Sequence, residues 1–377
     1  MTQNRRTFLR SLGLGMGTGA WLLSSGQMPK LLADPNKEQL RNFLFCYFRG
    51  GWDLLLSLDP RDPGKFSESK IRETKIQLGW DRLQDPFRPD IIQPSGSNIE
   101  FGPAIGDFAK HFDKACLIRG MTSGTLGHEI GRRFFITGQQ PRGLNATGSS
   151  VSTRIVAQQG AQTPIPNLVI AMESYNRGNP AFATGLQVSN LRDLQSTLRD
   201  GPNNPKKGVR ELIDQFRKED NLCDPTEHNQ QGMMSLLRTM QHRARDLVAG
   251  DLYSYFDLNS QRDILERYNT RVLGEGASQA AIAFQALKNN VAQCISIRLA
   301  GGLDTHGSDW ATSQPMRLYN GFQALSILMD DLKATDHPKY PGKLIDHTTV
   351  VVFSEFGRTA LLNVDDGRDH ALSTSVL

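Results

Sequence analysis

The sequence predicts an α/β protein with a doubly wound, largely parallel sheet and helices on both faces. Two features of its 377 residues predict this fold. It contains continuous apolar runs of strand length, as expected of parallel strands that are buried on both faces. Between these runs lie segments whose apolar residues recur at helical spacing, and such alternation is typical of doubly wound sheets.

Five segments predict the strands. The first, RNFLFCYF, and the valine-rich run before Ser354 are apolar almost throughout. In chain order, the expected strands cover residues 41–48, 115–120, 166–172, 291–300 and 346–354.

Helices are expected between the strands. Residues 103–112 and 126–138 have helical spacing, and the second segment closes on a glycine, a common residue just past a helix end. Another helix is predicted where Leu325, Leu328 and Leu332 line one face. From about 190 to 290 the pattern is mostly helical and polar, which we interpret as an insertion in one domain of residues 41–377.

Residues 1–33 are predicted to be an export signal. Arg5 and Arg6 precede a weakly apolar run at 12–23, which is shorter than the roughly 20 residues of a spanning helix. Paired arginines in this setting resemble a twin-arginine signal, which a dedicated translocase reads. Cleavage after Ala33 and an uncleaved anchor are both open. We therefore expect a periplasmic or otherwise exported body without a membrane span.

The charge distribution argues against a nucleic-acid partner. Residues 1–33 hold four basic and no acidic side chains, so they carry the whole net charge of +4. The remainder has 39 basic and 39 acidic side chains and is formally neutral. A neutral body offers no electrostatic support for binding a phosphate backbone.

Metal-ligand types of residue follow the predicted strands. Asp53 follows the first strand, Asp304 and His306 follow the fourth, and Glu355 follows the fifth. The carboxyl ends of parallel strands share one edge of the sheet, and ligands bind there in open α/β sheets. Asp, Glu and His are suitable ligands for Zn²⁺, Mn²⁺ or Fe. The sequence therefore predicts a divalent-metal site at this edge.

The Asp-x-His motif at Asp304 and His306 has two interpretations. In an extended loop, alternate residues point the same way, so both side chains can face one ion. Taken alone, the motif favours the other interpretation, a loop aspartate that caps a turn beside a solvated histidine. The same alternatives apply to Asp369 and His370.

Two further candidates also have structural interpretations. Glu355 directly follows a buried strand, where a carboxylate needs a partner or a metal. Arg358 could supply that partner in a plain ion pair. His128 stands near a predicted helix start and could be a surface or core histidine of that helix.

An ordered set of motifs resembles a known family. FRGGWD, LDTHGSDW, VVVFSEFGR and GRDH, in this order behind the arginine pair, resemble the exported bacterial proteins of domain-of-unknown-function family 1501. HEIGRRFFITG also resembles the histidine-containing helix of that family. The resemblance runs from about Arg41 to the end. The family is grouped with the alkaline phosphatase and sulfatase superfamily, which implies an alkaline-phosphatase-like sheet with one or two divalent metals at the strand ends.

The resemblance also implies roles for particular residues. Zn²⁺ is the expected ion, with Mn²⁺, Fe, Mg²⁺ and Ca²⁺ left open. The implied ligands are Asp53, Asp304, His306, Glu355 and His370, with Asp369 as a further ligand or in a supporting shell. The implied catalytic residues are a hydroxyl nucleophile among Thr122, Ser123 and Thr125, then His128, and Arg358 or Arg368 to steady an anionic substrate.

The expected function is therefore metal-dependent hydrolysis of phosphate or sulfate esters by an exported protein. The alternative is a non-catalytic periplasmic binding or assembly protein that keeps the fold with a degraded site. The final residues, ALSTSVL, look like a strand just beginning, and the relatives continue further. A truncated chain is one interpretation of this ending, and a missing last strand would leave an open sheet edge.

Overall fold

The computed structural model describes residues 40–87, 90–199 and 251–377, together with 208, 209, 211, 212, 215 and 247. The predicted export signal at 1–33 lies outside these residues, as does most of the helical stretch predicted near 231–248. Residues 41–377 make up one compact unit.

The described residues contain nine strands. They are β1 (Asn42–Phe48), β2 (Ile118–Thr122), β3 (Asn167–Ile170), β4 (Leu186–Val188), β5 (Cys294–Ala300), β6 (Thr348–Phe353), β7 (Gly357–Arg358), β8 (His370–Ala371) and β9 (Ser373–Val376).

The α-helices with defined bounds flank these strands. They are α1 (Ile71–Thr74), α2 (His128–Thr137), α3 (Val151–Gln159), α4 (Leu191–Leu198), α5 (Tyr253–Phe256), α6 (Arg262–Arg267), α7 (Thr270–Leu273), α8 (Glu275–Lys288) and α9 (Trp310–Ala334). Short 3-10 helices cover Glu68–Lys70, Trp80–Arg82, Gly106–Lys114, Ala181–Ala183 and Leu344–His347.

A five-stranded parallel sheet in the order β4-β3-β5-β1-β6 forms the centre. The predicted α/β class with a parallel sheet flanked by helices is confirmed. Four of the five central strands lie where the apolar runs predict them. The fifth, β4, has only three residues, which is too short to leave a recognisable pattern.

Apolar residues bury both faces of the sheet because successive side chains of a strand point to opposite sides. In β1, Leu44 and Phe48 join the large core beneath α8 and α9, whereas Phe43 and Phe45 pack against the α3 side. Helix α8 approaches β5 very closely because residue 276 is glycine, and any side chain there would collide with the carbonyl of Leu299.

Two predicted elements differ from the structure. The strand predicted at 115–120 is not part of the central sheet. It lies at β2, is exposed, and pairs antiparallel with β9, with an irregular register where Gly120 has φ 74°. The helix predicted at 103–112 is instead the 3-10 helix at Gly106–Lys114.

None of the helices in the described ranges combines the length and the apolar character that crossing a membrane requires.

Candidate metal centre

The loops after β1, β5 and β6 meet at the carboxyl edge of the sheet. The β1 loop passes directly over the β5 loop because residue 50 is glycine, with φ 116°. A side chain there would come within 2.8 Å of the amide nitrogen of Asp304. The pairing of β7 with β8 then sets Arg358 opposite His370. Local backbone geometry thus brings together residues that are far apart in the chain.

Three imidazoles converge on one carboxylate oxygen at this edge. Oδ1 of Asp304 lies 3.1 Å from Nε2 of His128, 3.0 Å from Nε2 of His306 and 3.1 Å from Nε2 of His370. His128, Asp304 and His370 form a three-residue group with the spacing of a metal site. His306 adjoins this group, with its Nε2 2.9 Å from Nε2 of His370.

The opposite nitrogen of every ring faces a hydrogen-bond acceptor. The pairs are His128 with Oε1 of Glu355 at 2.8 Å, His306 with Oδ1 of Asp369 at 2.8 Å, and His370 with the carbonyl of Leu126 at 2.6 Å. These acceptors assign the proton of each neutral ring to Nδ1, which leaves the Nε2 lone pair directed at the centre. Acceptors of this kind typically orient metal-binding histidines.

A divalent cation fits this arrangement. Nε2 of His306 lies 2.9 Å from Nε2 of His370, and positive charge beside them, from Arg358 or from a bound cation, offsets the repulsion of their lone pairs. Nε2 of His128 is buried and has no hydrogen-bond partner among the described residues. Three imidazole nitrogens and one carboxylate are a donor set suited to Zn²⁺, Mn²⁺ or Fe. The donor atoms therefore fit a divalent metal.

Glu355 stands behind His128. Its carboxylate is fully buried and accepts hydrogen bonds from His128 Nδ1, the Gly50 amide at 2.9 Å and the Ser354 hydroxyl at 3.0 Å. Burial acts to raise the pKa of Glu355, but the hydrogen bonds to its carboxylate, that from His128 foremost, together outweigh burial and the pKa is lowered. Glu355 is thus an ionised group that orients His128, and its predicted ion pair with Arg358 is replaced by this contact.

Arg358 pairs with Asp304 instead. Its Nη2 lies 2.6 Å from Oδ1 of Asp304, and Nη1 lies 3.2 Å from Nε2 of His306. The remaining donors contact the carbonyls of Gly50, Gly51 and Arg368. Although burial opposes its charge, the hydrogen bond from Arg358 and the positive charge of that guanidinium hold the pKa of Asp304 far below its usual range. Asp304 is therefore ionised and fixed in place.

Asp53 and Arg368 form a separate buried pair. Arg368 Nε lies 2.8 Å from Asp53 Oδ2, and both side chains are almost completely buried. Asp53 also accepts the Trp310 indole N–H at 2.9 Å, and Arg368 stacks over that indole at 4.7 Å. The other Arg368 donors contact backbone carbonyls, including Leu78 at 2.8 Å. The expectation that Arg368 steadies a substrate is wrong, because burial and these contacts occupy the guanidinium. Asp53 is not in the three-residue group.

The three candidate hydroxyls serve the loop before α2. Those of Thr122 and Thr125 accept hydrogen bonds from the amides of Gly124 and Gly127. Ser123 is buried and its hydroxyl makes only a long contact, 3.4 Å, to the Thr125 carbonyl. Within the described part of the chain, none of them hydrogen-bonds to the three-residue group.

Comparison with known proteins identifies the family. The sequence model described as "Protein of unknown function (DUF1501)" matches residues 41–377. The chain belongs to the DUF1501 family. No curated protein and no solved structure matches it.

Sequence reasoning missed two features of this DUF1501 chain. The Leu126 carbonyl orients His370 at 2.6 Å, and no local pattern distinguishes a backbone acceptor 244 residues away. Arg49 lines a cavity beside Asp304. It was available as the arginine of the quoted FRGGWD motif, but only the fold shows which way the cavity opens.

Proposed function

We propose that this DUF1501 chain is an exported metal-dependent hydrolase of phosphate or sulfate esters, built on an alkaline-phosphatase-like fold. The observation that carries the proposal is the convergence of three Nε2 atoms on Oδ1 of Asp304. When bound there, a divalent ion supplies Lewis-acid polarisation of an ester and activation of water.

The residues of the site then have distinct tasks. His128, Asp304 and His370 hold the ion, and His306 is placed to join them. Glu355 and Asp369 keep Nδ1 protonated on their histidines, so that Nε2 stays a ligand. Because none of the hydroxyls of Thr122, Ser123 and Thr125 hydrogen-bonds to the three-residue group within the described residues, we propose water rather than a side chain as the nucleophile.

Export completes the proposal. The paired Arg5 and Arg6 ahead of an apolar run support passage through the twin-arginine translocase to the periplasm. Zn²⁺ is the ion that we propose first, because imidazole-rich sites of this kind suit it well.

Activity measured after loading with single metals tests the hydrolase. We expect turnover of 4-nitrophenyl phosphate or 4-nitrophenyl sulfate by the Zn²⁺-, Mn²⁺- or Fe-loaded protein, falling at least about a hundredfold in Asp304→Ala, since the ion loses its carboxylate. Asp309→Ala is the matched control, because this exposed aspartate in the same loop makes no capping hydrogen bond. Thr122→Ala, Ser123→Ala and Thr125→Ala are expected to retain turnover.

A second function, a binding or assembly protein, is favoured by one observation. The buried Arg358 already neutralises Asp304, as in a site that holds its charges without turnover. Full metal loading without hydrolysis of any ester in the panel would contradict the enzyme and select this alternative.

A further inference from the structure

A cavity of about 720 Å³ opens beside the metal candidates His128 and Asp304. Its walls come from the ends of β1, β5 and α7, from the starts of α2 and α8, and from the first half of α9. Such a volume is typical of pockets that hold small organic molecules. An inorganic oxyanion would fill only a small part of it.

The lining carries three arginines and three carboxylates, and two of the carboxylates, Glu275 and Asp304, already have an arginine partner. Arg298 is paired with Glu275 at 3.0 Å, so these two offset each other. Arg49 is exposed and its guanidinium forms no ion pair with the described residues. Arg317 uses one N–H on the Gly302 carbonyl and keeps its other donors. Against these two cations stands the exposed carboxylate of Glu129.

The backbone leaves room for these arginines. Gly302 has φ 71°, and a side chain there would lie 2.8 Å from Nη1 of Arg317. Three more glycines line the cavity: Gly50, Gly276 and Gly301. The wall is therefore largely backbone and charged side chains, with Leu273, Leu299 and Ala300 as its apolar part. A polar molecule suits this wall better than a lipid tail.

We propose that this cavity binds a polar organic ester that carries an oxyanion, and that Arg49 and Arg317 recognise the anionic group. Guanidinium groups bind phosphate, sulfate and carboxylate through charge-assisted hydrogen bonds. The organic part occupies the remaining volume between α8 and α9. Only the orientation of the ester bond towards His128 and Asp304 rests on the proposed function; the anion site itself does not.

Phosphorus NMR titrations with inorganic phosphate and with glycerol 1-phosphate test the pocket, using metal-free and metal-loaded protein. We expect Arg49→Ala to weaken both ligands at least about tenfold in both forms of the protein, as the loss of a charge-assisted contact implies. Arg262→Ala, which removes an exposed arginine outside the cavity, is expected to change nothing. Glu129→Gln is expected to tighten binding a few-fold, because it removes the opposing charge.

Glycerol 1-phosphate is expected to bind at least as tightly as phosphate, since the cavity has room for the glycerol. Unchanged phosphate affinity in Arg49→Ala would contradict the proposed anion site. Weaker phosphate binding in Glu129→Gln, or failure of glycerol 1-phosphate to bind, would contradict it as well. Metal content and turnover are measured on the same samples. If the Arg49→Ala protein is folded, metal-loaded and active and keeps wild-type phosphate affinity, the anion site is refuted while the proposed hydrolase is not. If the protein holds no metal but its phosphate binding depends on Arg49, only the proposed hydrolase is refuted.

Discussion

Each imidazole at the centre depends on a group behind it. Glu355 accepts from His128, and Asp369 accepts from His306 at the same distance of 2.8 Å. Hydrogen bonds from His306 and Asn363 lower the pKa of Asp369, so this carboxylate is also ionised. Phe356 packs against both His128 and His370, with ring centroids at 4.8 and 4.3 Å. Apolar packing and charged acceptors together restrict the rings to one orientation.

Substitution of Glu355 by glutamine tests whether the acceptors behind the histidines contribute to metal binding. The amide keeps the size of the side chain but removes the charge that makes His128 a better ligand, so we expect metal affinity to fall about 10- to 100-fold. Competition with a chromophoric chelator measures the change. Glu275→Gln, at the rim of the cavity, is the control and should leave metal affinity unchanged. Equal affinities for both variants would show that Glu355 has no part in metal binding.

The types of residue at the candidate metal centre could be predicted from the sequence. Which of them face the ion and which stand behind its ligands could not. Asp304 and His306 stand just beyond a strand end, and the shared edge of a parallel sheet predicts that they lie in a site there, whereas His370 was expected only from the family resemblance. Whether Glu355 touches an ion or a histidine depends on which atom faces it, and a carboxylate after a strand looks the same in both cases. The same ambiguity hid the pairing of Asp53 with Arg368, which joins residues 315 positions apart in the chain.

At the scale of elements, helix α2 carries His128 and is anchored away from the centre. Arg132 and Arg133 each contact Glu173, in the loop after β3, with the shortest distances at 2.9 and 3.1 Å. Tyr175 donates to the same carboxylate at 2.9 Å. Burial acts to raise the pKa of Glu173, but the hydrogen bonds from the two arginines lower it to about 2.

Glu173→Gln should destabilise the protein by about 1–2 kcal/mol at pH 7, because both arginines lose a charged partner that is partly exposed to solvent. The folded-state pKa is depressed, so this stabilisation is present above pH 4.5 and is lost as the pH falls towards 2. Urea unfolding across this range should show the wild type and variant converging. Glu266→Gln, an exposed residue on α6, is the control. A difference that persists undiminished at pH 2 would refute the assignment.

The loop that carries His370 fits tightly against the loop that carries His306. The Arg368 amide donates to the Thr305 carbonyl at 3.1 Å, and a side chain at Gly367 would collide with the backbone of His306 and Gly307. Gly367→Ala should therefore weaken metal binding at least about tenfold and cost about 1–3 kcal/mol of stability. Gly307→Ala is the matched control, because its new methyl group meets only Asp309 Oδ1 at 3.7 Å. Chelator competition and urea unfolding of both variants provide the comparison.

Elements with long apolar runs were predictable, whereas those formed by distant pairing were not. The runs at 41–48 and 346–354 predict β1 and β6, which pair in parallel from Asn42 with Thr348 to Tyr47 with Phe353. Strand β2 is exposed and owes its partner to the far end of the chain, where Ile118 faces Val376. The periodicity of apolar residues within a segment cannot predict pairing with a strand so far away in the chain.

At the scale of the whole molecule, the residues that pack the core and the residues of the candidate metal centre occupy different parts of the parallel sheet. The apolar clusters pack on its faces, while the candidate centre lies at its carboxyl edge, on loops after β1, β5 and β6. Each loop contributes one part: Gly50 with its tight approach, Asp304 with His306, and Glu355 with Arg358. The arginine-lined cavity opens beside the same edge. A single topological feature thus explains why metal candidates and anion-binding groups lie together.

The most direct test is the divalent-metal content of the purified 41–377 region, measured by plasma mass spectrometry after loading and dialysis. The account predicts about one tightly held ion per chain in the wild type and in Asp309→Ala, and its loss in Asp304→Ala and in His370→Ala. Circular dichroism of the same samples verifies that the variants are folded. A folded wild type that holds no ion, or Asp304→Ala and His370→Ala proteins that hold as much as the wild type, would contradict the metal centre.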